Sequence, residues 1–418
     1  MNRYESYQDS GIPWLGEVPE HWTLGNLMYF ISCSSGDALP SVLIHKNESN
    51  DINIPVIGGN GLFGYIDNSN FTENCLAIGR VGALCGNVHY INYPSWINDN
   101  ALIVKLRTDK IYLTFLDYFF QSRNLNELAS KTAQPLLTGT QVKKEKIAIP
   151  PLPEQTAIAD YLDNKLGEID ALISKQETLL AKLAEQRTAI ITHAVTKGLN
   201  AHAPMKNSGV AWLGDVPEHW GITALKFYYD VQLGKMLQPN PSSQNDFEIP
   251  YLKAVHIQWD KIQVNDLPFM WISSHEVAKY SVQNGDLLVC EGGEVGRCFI
   301  LNGISETTII QNALHRIRAS KYSNVKYLDY IIRHTANAQW FSILCNKATI
   351  AHLTSEKLIN LLIPIPPLPE QTAIANYLDD QTAKIDRLSD TVNQTIASLK
   401  EYRSALITQA VTGKIKVI

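Results

Sequence analysis

No stretch of this chain holds the roughly 20 continuous apolar residues that a helix needs to span a bilayer. The best candidate, LINLLIPIPPL from Leu358, is short and broken by prolines, which argues against a membrane protein. Cysteine is scarce. The six that occur, Cys33, Cys75, Cys85, Cys290, Cys298 and Cys345, lie far apart with neither a CxxC pair nor a Cys/His metal cadence, and no signal-peptide pattern opens the chain. A reduced, cytoplasmic setting is the expectation, with the thiols as small core residues. Excess positive charge is missing as well. The formal net charge is −5, whereas a protein that holds nucleic acid unaided carries a basic footprint.

Catalytic signatures are equally thin. There is no GxxxxGK[ST] loop for a nucleotide triphosphate. The only Pro-Pro pairs lie in IPPLPEQ, without the Asn/Asp-Pro-Pro-aromatic turn of an enzyme that methylates base amines. GGNGLFG from Gly58 is a weak match to a dinucleotide loop and reads better as a hairpin turn. His256, His275, His315, His334 and His352 lack HExxH spacing, so no metal site is expected. With no nucleophile and base at a telling spacing, the residues favour recognition over catalysis.

What the chain does have is repetition. IPPLPEQTAIADYLD from Ile149 returns as IPPLPEQTAIANYLD from Ile365, and SGIPWLGEVPEHW from Ser10 returns as SGVAWLGDVPEHW from Ser208. Between the boxes lie two unlike stretches, about Thr23 to Pro150 and about Gly221 to Pro366, each the size of a domain. Both read as mixed α/β: β-branched runs separated by glycine turns, then an aromatic helical segment, YLTFLDYFFQS or YLDYIIRHTANAQWFSI. Weak letter matches link the copies, GRVG at Gly79 with GEVG at Gly293, and NALIVKLR at Asn100 with NALHRIR at Asn312.

After each proline box the apolar residues take a 3-and-4 spacing. In the first copy these are Ile158, Leu162, Ile169, Ile173, Leu180, Leu183, Ile190 and Ala194; in the second, Ile374, Leu378, Ile385, Val392, Ile396, Leu399, Leu406 and Ala410. Glu154 and Glu370 suit a helix start, and glycine in TKG and TGK suits a stop. Each helix should run about 40 residues, roughly 60 Å. Two stripes of this kind most simply bury each other antiparallel. Lys165, Gln176 and Arg187 interrupt the first stripe and suggest register marks or partner contacts.

Together the doubled PPLPEQTAIA box with its long helix, the doubled WLG-VPEHW box and the alternation of variable and repeated parts resemble the specificity subunit of type I restriction-modification systems. The likeness spans essentially the whole chain. It implies an α+β fold in which two mixed α/β target recognition domains are separated by two long antiparallel coiled-coil helices, with an internal pseudo-two-fold repeat. The expected parts are residues 1–150 (first box and domain), 151–198 (first spacer helix), 199–366 (second box and domain) and 367–418 (second spacer helix). It further implies a non-catalytic subunit whose domains each read half of a split double-stranded DNA target. Its helices would set the spacing and dock two DNA methyltransferase subunits, with motor-nuclease subunits joining for restriction. No cofactor is expected in this chain, since methyl donor, ATP and magnesium belong to those partners.

Base reading needs donors and acceptors on approachable loops. The candidates are Asn60, Arg80 and Asn87 in the first domain and Lys235, Lys253, His256 and Arg297 in the second. Asn60 also suits the turn itself, and Arg316 and Arg318 rank lower because a strand can simply display them. Trp14, Trp22, Trp212 and Trp220, being in the repeated part, are expected to be packing anchors. Two other readings stay open: a free-standing two-domain DNA-binding regulator, which the balanced charge disfavours, and an architectural coiled-coil adaptor.

Overall fold

The computed structural model describes residues 3–130, 134–345 and 352–417. The chain forms two compact units, Met1–Glu177 with Asn393–Ile418, and Thr178–Val392. Both long helices are continuous, Leu152–Lys197 and Leu368–Val411, so each contributes its two halves to different units. Among the described residues no helix is long and apolar enough to cross a membrane.

In the first unit a four-stranded antiparallel sheet has the order Ile31–Ser35, Ala101–Leu106, Cys75–Gly79, Val88–Ile91. A smaller sheet carries Gly61–Ile66, Ile54–Gly58 and Trp96–Ile97, with Val56 and Trp96 in parallel register. GGNG is the turn of its hairpin, Gly58 facing Gly61. The second unit repeats the plan: Tyr229–Leu233, Leu314–Ala319, Leu287–Cys290, Cys298–Ile300 in one sheet, and Phe269–Ile272, Phe247–Leu252, Thr308–Ile310, Ser281–Val282 in the other. Strands Cys75–Gly79 and Leu287–Cys290 are buried throughout, which explains their unbroken apolar runs.

Each domain hangs from a neck. Thr23–Asn26 enters the first domain and pairs antiparallel with the departing Lys146–Ile149; Gly221–Ala224 pairs likewise with Leu362–Ile365. The proline box follows at once, and its Glu-Gln dipeptide divides the labour. Gln155 is fully buried: it accepts from the Tyr112 N–H at the start of helix Leu113–Arg123 and donates to the carbonyls of Lys110 and Pro150. Gln371 does the same with the Asn324 N–H before helix Val325–Asn337 and the Pro366 carbonyl. Glu154 takes Trp22 Nε1 at 3.1 Å, Tyr4 Oη at 2.6 Å and His21 Nε2 at 2.8 Å, while Glu370 takes Trp220 Nε1 at 3.1 Å and His219 Nε2 at 2.8 Å. A buried carboxylate facing several donors at a helix N-terminus is well satisfied.

The tryptophans are packing residues. Trp22 and Trp220 are buried, and Trp14 and Trp212 lie half-buried against Phe119 and His334 of the short helices. Each box also receives the end of the other long helix: Gly413, at φ +69°, sits where a Cβ would strike Pro19 and approach Trp22, and Gly198, at φ +74°, lies against Trp220. Within each unit the helix halves therefore run antiparallel. Ile158, Leu162, Leu166 and Ile169 share a core with Leu406, Ile407, Ala410 and Val411 in the first unit, and Ile191, Ala194 and Val195 with Ile374, Ala375 and Leu378 in the second. The seam differs in detail from the expected one. Leu166, Ile191 and Val195 are buried, while Ile173, Leu180 and Ile190 are only half so, because the domains, as well as the opposite helix, cover this face.

Candidate nucleic-acid interface

Three segments of the first domain converge on Asn60, Arg80 and Asn87. Glycine makes the approach possible: a Cβ on Gly79 would lie 2.2 Å from the Gly59 carbonyl oxygen. Across that contact Asn87 Nδ2 donates to Asn60 Oδ1 at 3.1 Å, and both side chains are exposed. Arg80 follows strand Cys75–Gly79. Its Nη1 donates to Ser35 Oγ at 2.7 Å and to the Asp99 carbonyl at 3.4 Å, its Nε is buried without a partner, and among the described residues no carboxylate pairs with it. Exposed Leu62, Phe63 and Leu84 lie on the same hairpin and loop. The cluster thus offers a half-buried cation, two amides and apolar edges.

The second domain brings Lys253, His256 and Arg297 to one short turn, Ala254–His256. Here the side chains are largely occupied by the fold. His256 is buried, its Nδ1 accepting from the Lys253 N–H at 3.2 Å, and burial together with Lys253 pulls its pKa down. Arg297 Nη2 donates to the Ala254 carbonyl at 2.9 Å and Nη1 reaches Glu294 at 3.4 Å. Lys235 is committed to Glu276, with contacts of 3.0 and 2.9 Å, and is nearly buried. Arg316 is buried and Arg318 half-buried, and both are engaged, with Ser281, Asp230 and Asp286 as partners. Of the four residues chosen by type in this domain, Lys253 alone keeps a side chain without a fixed partner.

The hydrogen-bond ladders correct the letter matches. Gly79 N–H bonds the Asn87 carbonyl, and Gly86 N–H returns to Gly79; Cys290 N–H bonds Arg297, and Gly296 N–H returns to Cys290. Arg80 N–H bonds Asn100 and its carbonyl takes Leu137 N–H, just as Glu291 N–H bonds Ala313 and its carbonyl takes Leu353 N–H. Arg80 therefore corresponds to Glu291, Asn87 to Arg297 and Asn100 to Ala313. GRVG does not align with GEVG, since the second loop is one residue shorter and its glycines serve different turns.

Comparisons with known proteins agree with this doubled frame. The family described as type I restriction modification DNA specificity domain matches residues 36–181 and 235–398. The type I restriction enzyme MjaVIII specificity subunit of Methanocaldococcus jannaschii is 26% identical over 314 residues, covering 72% of this chain and 70% of the relative. The EcoKI specificity subunit of Escherichia coli K12 is 22% identical over 344 residues, covering 80% and 68%. Among solved structures, a chain from a study of complex assembly and conformational transition of the type I restriction-modification system aligns with TM-score 0.70 at 16% identity, covering 95% of this chain and 99% of that one. The HsdS subunit of Thermoanaerobacter tengcongensis aligns at TM-score 0.53 and 15% identity, covering 95% and 98%. A two-fold repeated α+β fold with paired long helices defines the class. The chain belongs to the type I restriction-modification specificity-subunit family.

Proposed function

We propose that each domain reads one half of a split double-stranded DNA target, and that the long helices set the distance between the halves and dock two DNA methyltransferase subunits. The observation that carries this reading is the pairing of one backbone frame with two sets of loop side chains. The necks, the Glu-Gln dipeptides and the strand-end ladders repeat, while Asn60, Arg80 and Asn87 have no like counterparts in the second copy. A doubled frame suits two equivalent partners and a two-fold spacing on the duplex. Unlike loops suit two unlike half-sites.

On this reading the chain is not an enzyme, and it works in the cytoplasm with methyl donor, ATP and magnesium held by methyltransferase and motor-nuclease subunits. Its net charge of −5 leaves much of the phosphate attraction to those partners. The test is a genome-wide map of methylated bases in cells carrying this chain and its methyltransferase, repeated after residues 23–150 are exchanged for those of a relative. One half of a split motif should change while the other half and the spacer stay. Joint change of both halves, or no split motif, would overturn the proposal.

A further inference from the structure

The position one residue beyond the buried central strand is Arg80 in the first domain and Glu291 in the second, held by matching backbone bonds on both sides. Both side chains are half-buried. Among the described residues Arg80 has no ion pair, only Ser35 Oγ and a carbonyl, and its Nε is unpartnered. The Glu291 carboxylate has neither hydrogen bond nor ion pair among the described residues; only its backbone is bonded. Among the described residues between 221 and 366, the other carboxylates that lack both, Glu248, Asp266, Glu306 and Glu356, are exposed to solvent. Burial raises the Glu291 carboxyl above the ordinary range, with His352 opposing. A partly desolvated charge without a partner is costly, and the same cost recurs at the same place with opposite sign.

Another inverted pair shows what a structural role looks like. Asp37 and Lys235 are equivalent through their bonds to Ile97 and Ile310, yet Asp37 accepts from Asn70 at 2.9 Å and Lys235 is neutralised by Glu276. Glu291 is not answered in this way by the fold, and Arg80 is met only by neutral groups, Ser35 Oγ and the Asp99 carbonyl. Arginine offers paired donors that match the acceptor edge of guanine, whereas a carboxylate accepts from the cytosine amino group.

We propose that Glu291 is a specificity-determining residue whose carboxylate accepts a hydrogen bond from a cytosine amino group in the half-site of the second domain. Arg80 holds the equivalent place toward guanine in the other half. This rests on the reading of the two domains as half-site readers.

Methylated sites are mapped in cells carrying the methyltransferase with the unaltered chain, with Glu291→Gln and with Glu291→Arg; Glu248→Gln, at an exposed carboxylate, is the control. Thermal melting of the purified complexes reports folding. Glu291→Gln, which keeps the shape, is expected to melt as the parent does and to lower discrimination at one base position of one half-site about 10-fold to 100-fold. The other half and the spacer should not change. An unchanged motif with Glu291→Gln, or an equal change with Glu248→Gln, would refute the assignment and leave the half-site reading intact. If Glu291→Arg fails to fold, Glu291→Gln alone decides. Absence of a split motif for the unaltered chain would instead sink the half-site reading, and this inference with it.

Discussion

Arg403 Nε donates to Asp170 Oδ1 at 3.0 Å in the first unit, and Arg187 meets Asp386 in the second. Asp170 stands as far from Glu154 as Asp386 does from Glu370, and the two arginines are related by the same offset. One antiparallel contact is therefore made twice, with the helices exchanging roles. Arg187, which interrupts the apolar stripe, is thus paired across the two helices. Because all four side chains are partly exposed, a double-mutant cycle on Asp170→Asn and Arg403→Gln should give a coupling of about 0.2–1 kcal/mol. Urea unfolding measures it, and zero coupling would deny the pair any part in register.

Asp117 should make the first unit sensitive to pH. Its Oδ2 accepts from Gln121, its Oδ1 is buried without a partner, and burial pushes its carboxyl up from 3.8 to about 6, with Asp163 adding to the effect and Gln121 and Arg403 opposing it. The folded value lies above the unfolded one, so the favourable contribution is complete below 3.8 and is lost as pH rises through about 6. Asp117→Asn should therefore stabilise the protein by roughly 1–3 kcal/mol near pH 8 and by little near pH 4. Melting curves at the two pH values check this. A benefit that grew toward acid would contradict the sign.

The two helix-start glutamates should not cost the same to remove. The Glu154 side chain is 8% exposed and serves three donors, whereas that of Glu370 is 28% exposed and serves two. Glu154→Ala is expected to cost about 2–4 kcal/mol and Glu370→Ala about 1–2 kcal/mol, since buried donors lose their acceptor in each case. Denaturant titration gives the order, and a reversed order would contradict it.

Two glycines of the candidate interface should separate steric cost from backbone cost. A Cβ at Gly79 meets the Gly59 carbonyl at 2.2 Å, while Gly82, at φ +82°, has nothing within 4 Å of its Cβ position. Gly82→Ala should lose about 1 kcal/mol, and Gly79→Ala more, roughly 2–4 kcal/mol. Only Gly79→Ala should also speed hydrogen exchange in residues 58–61, which measures the parting of the two loops.

The frame was legible in the sequence because it is written twice and because 3-and-4 spacing carries over long helices. Even there Leu166 and Val195 escaped notice, since the face they occupy is buried by the domain as well as by the opposite helix. The first site cluster was legible because glycine and asparagine mark exposed turns. The second was less so. Residue type identified Lys235, His256 and Arg297 as donors or acceptors, and only the fold shows them turned inward. Glu291 could not be found by matching letters, because its counterpart has the opposite charge and the loop register shifts by one residue.

The necks have a consequence for how such a protein changes over time. Thr23–Asn26 and Lys146–Ile149 lie side by side in register, as do Gly221–Ala224 and Leu362–Ile365, so the entrance and exit of each domain form one narrow junction. Whatever lies beyond it can lengthen, shorten or be replaced by genetic exchange without moving the first residue of the helix that follows. On the half-site reading proposed above, the repeated boxes then mark where one domain can be exchanged for another as a cassette.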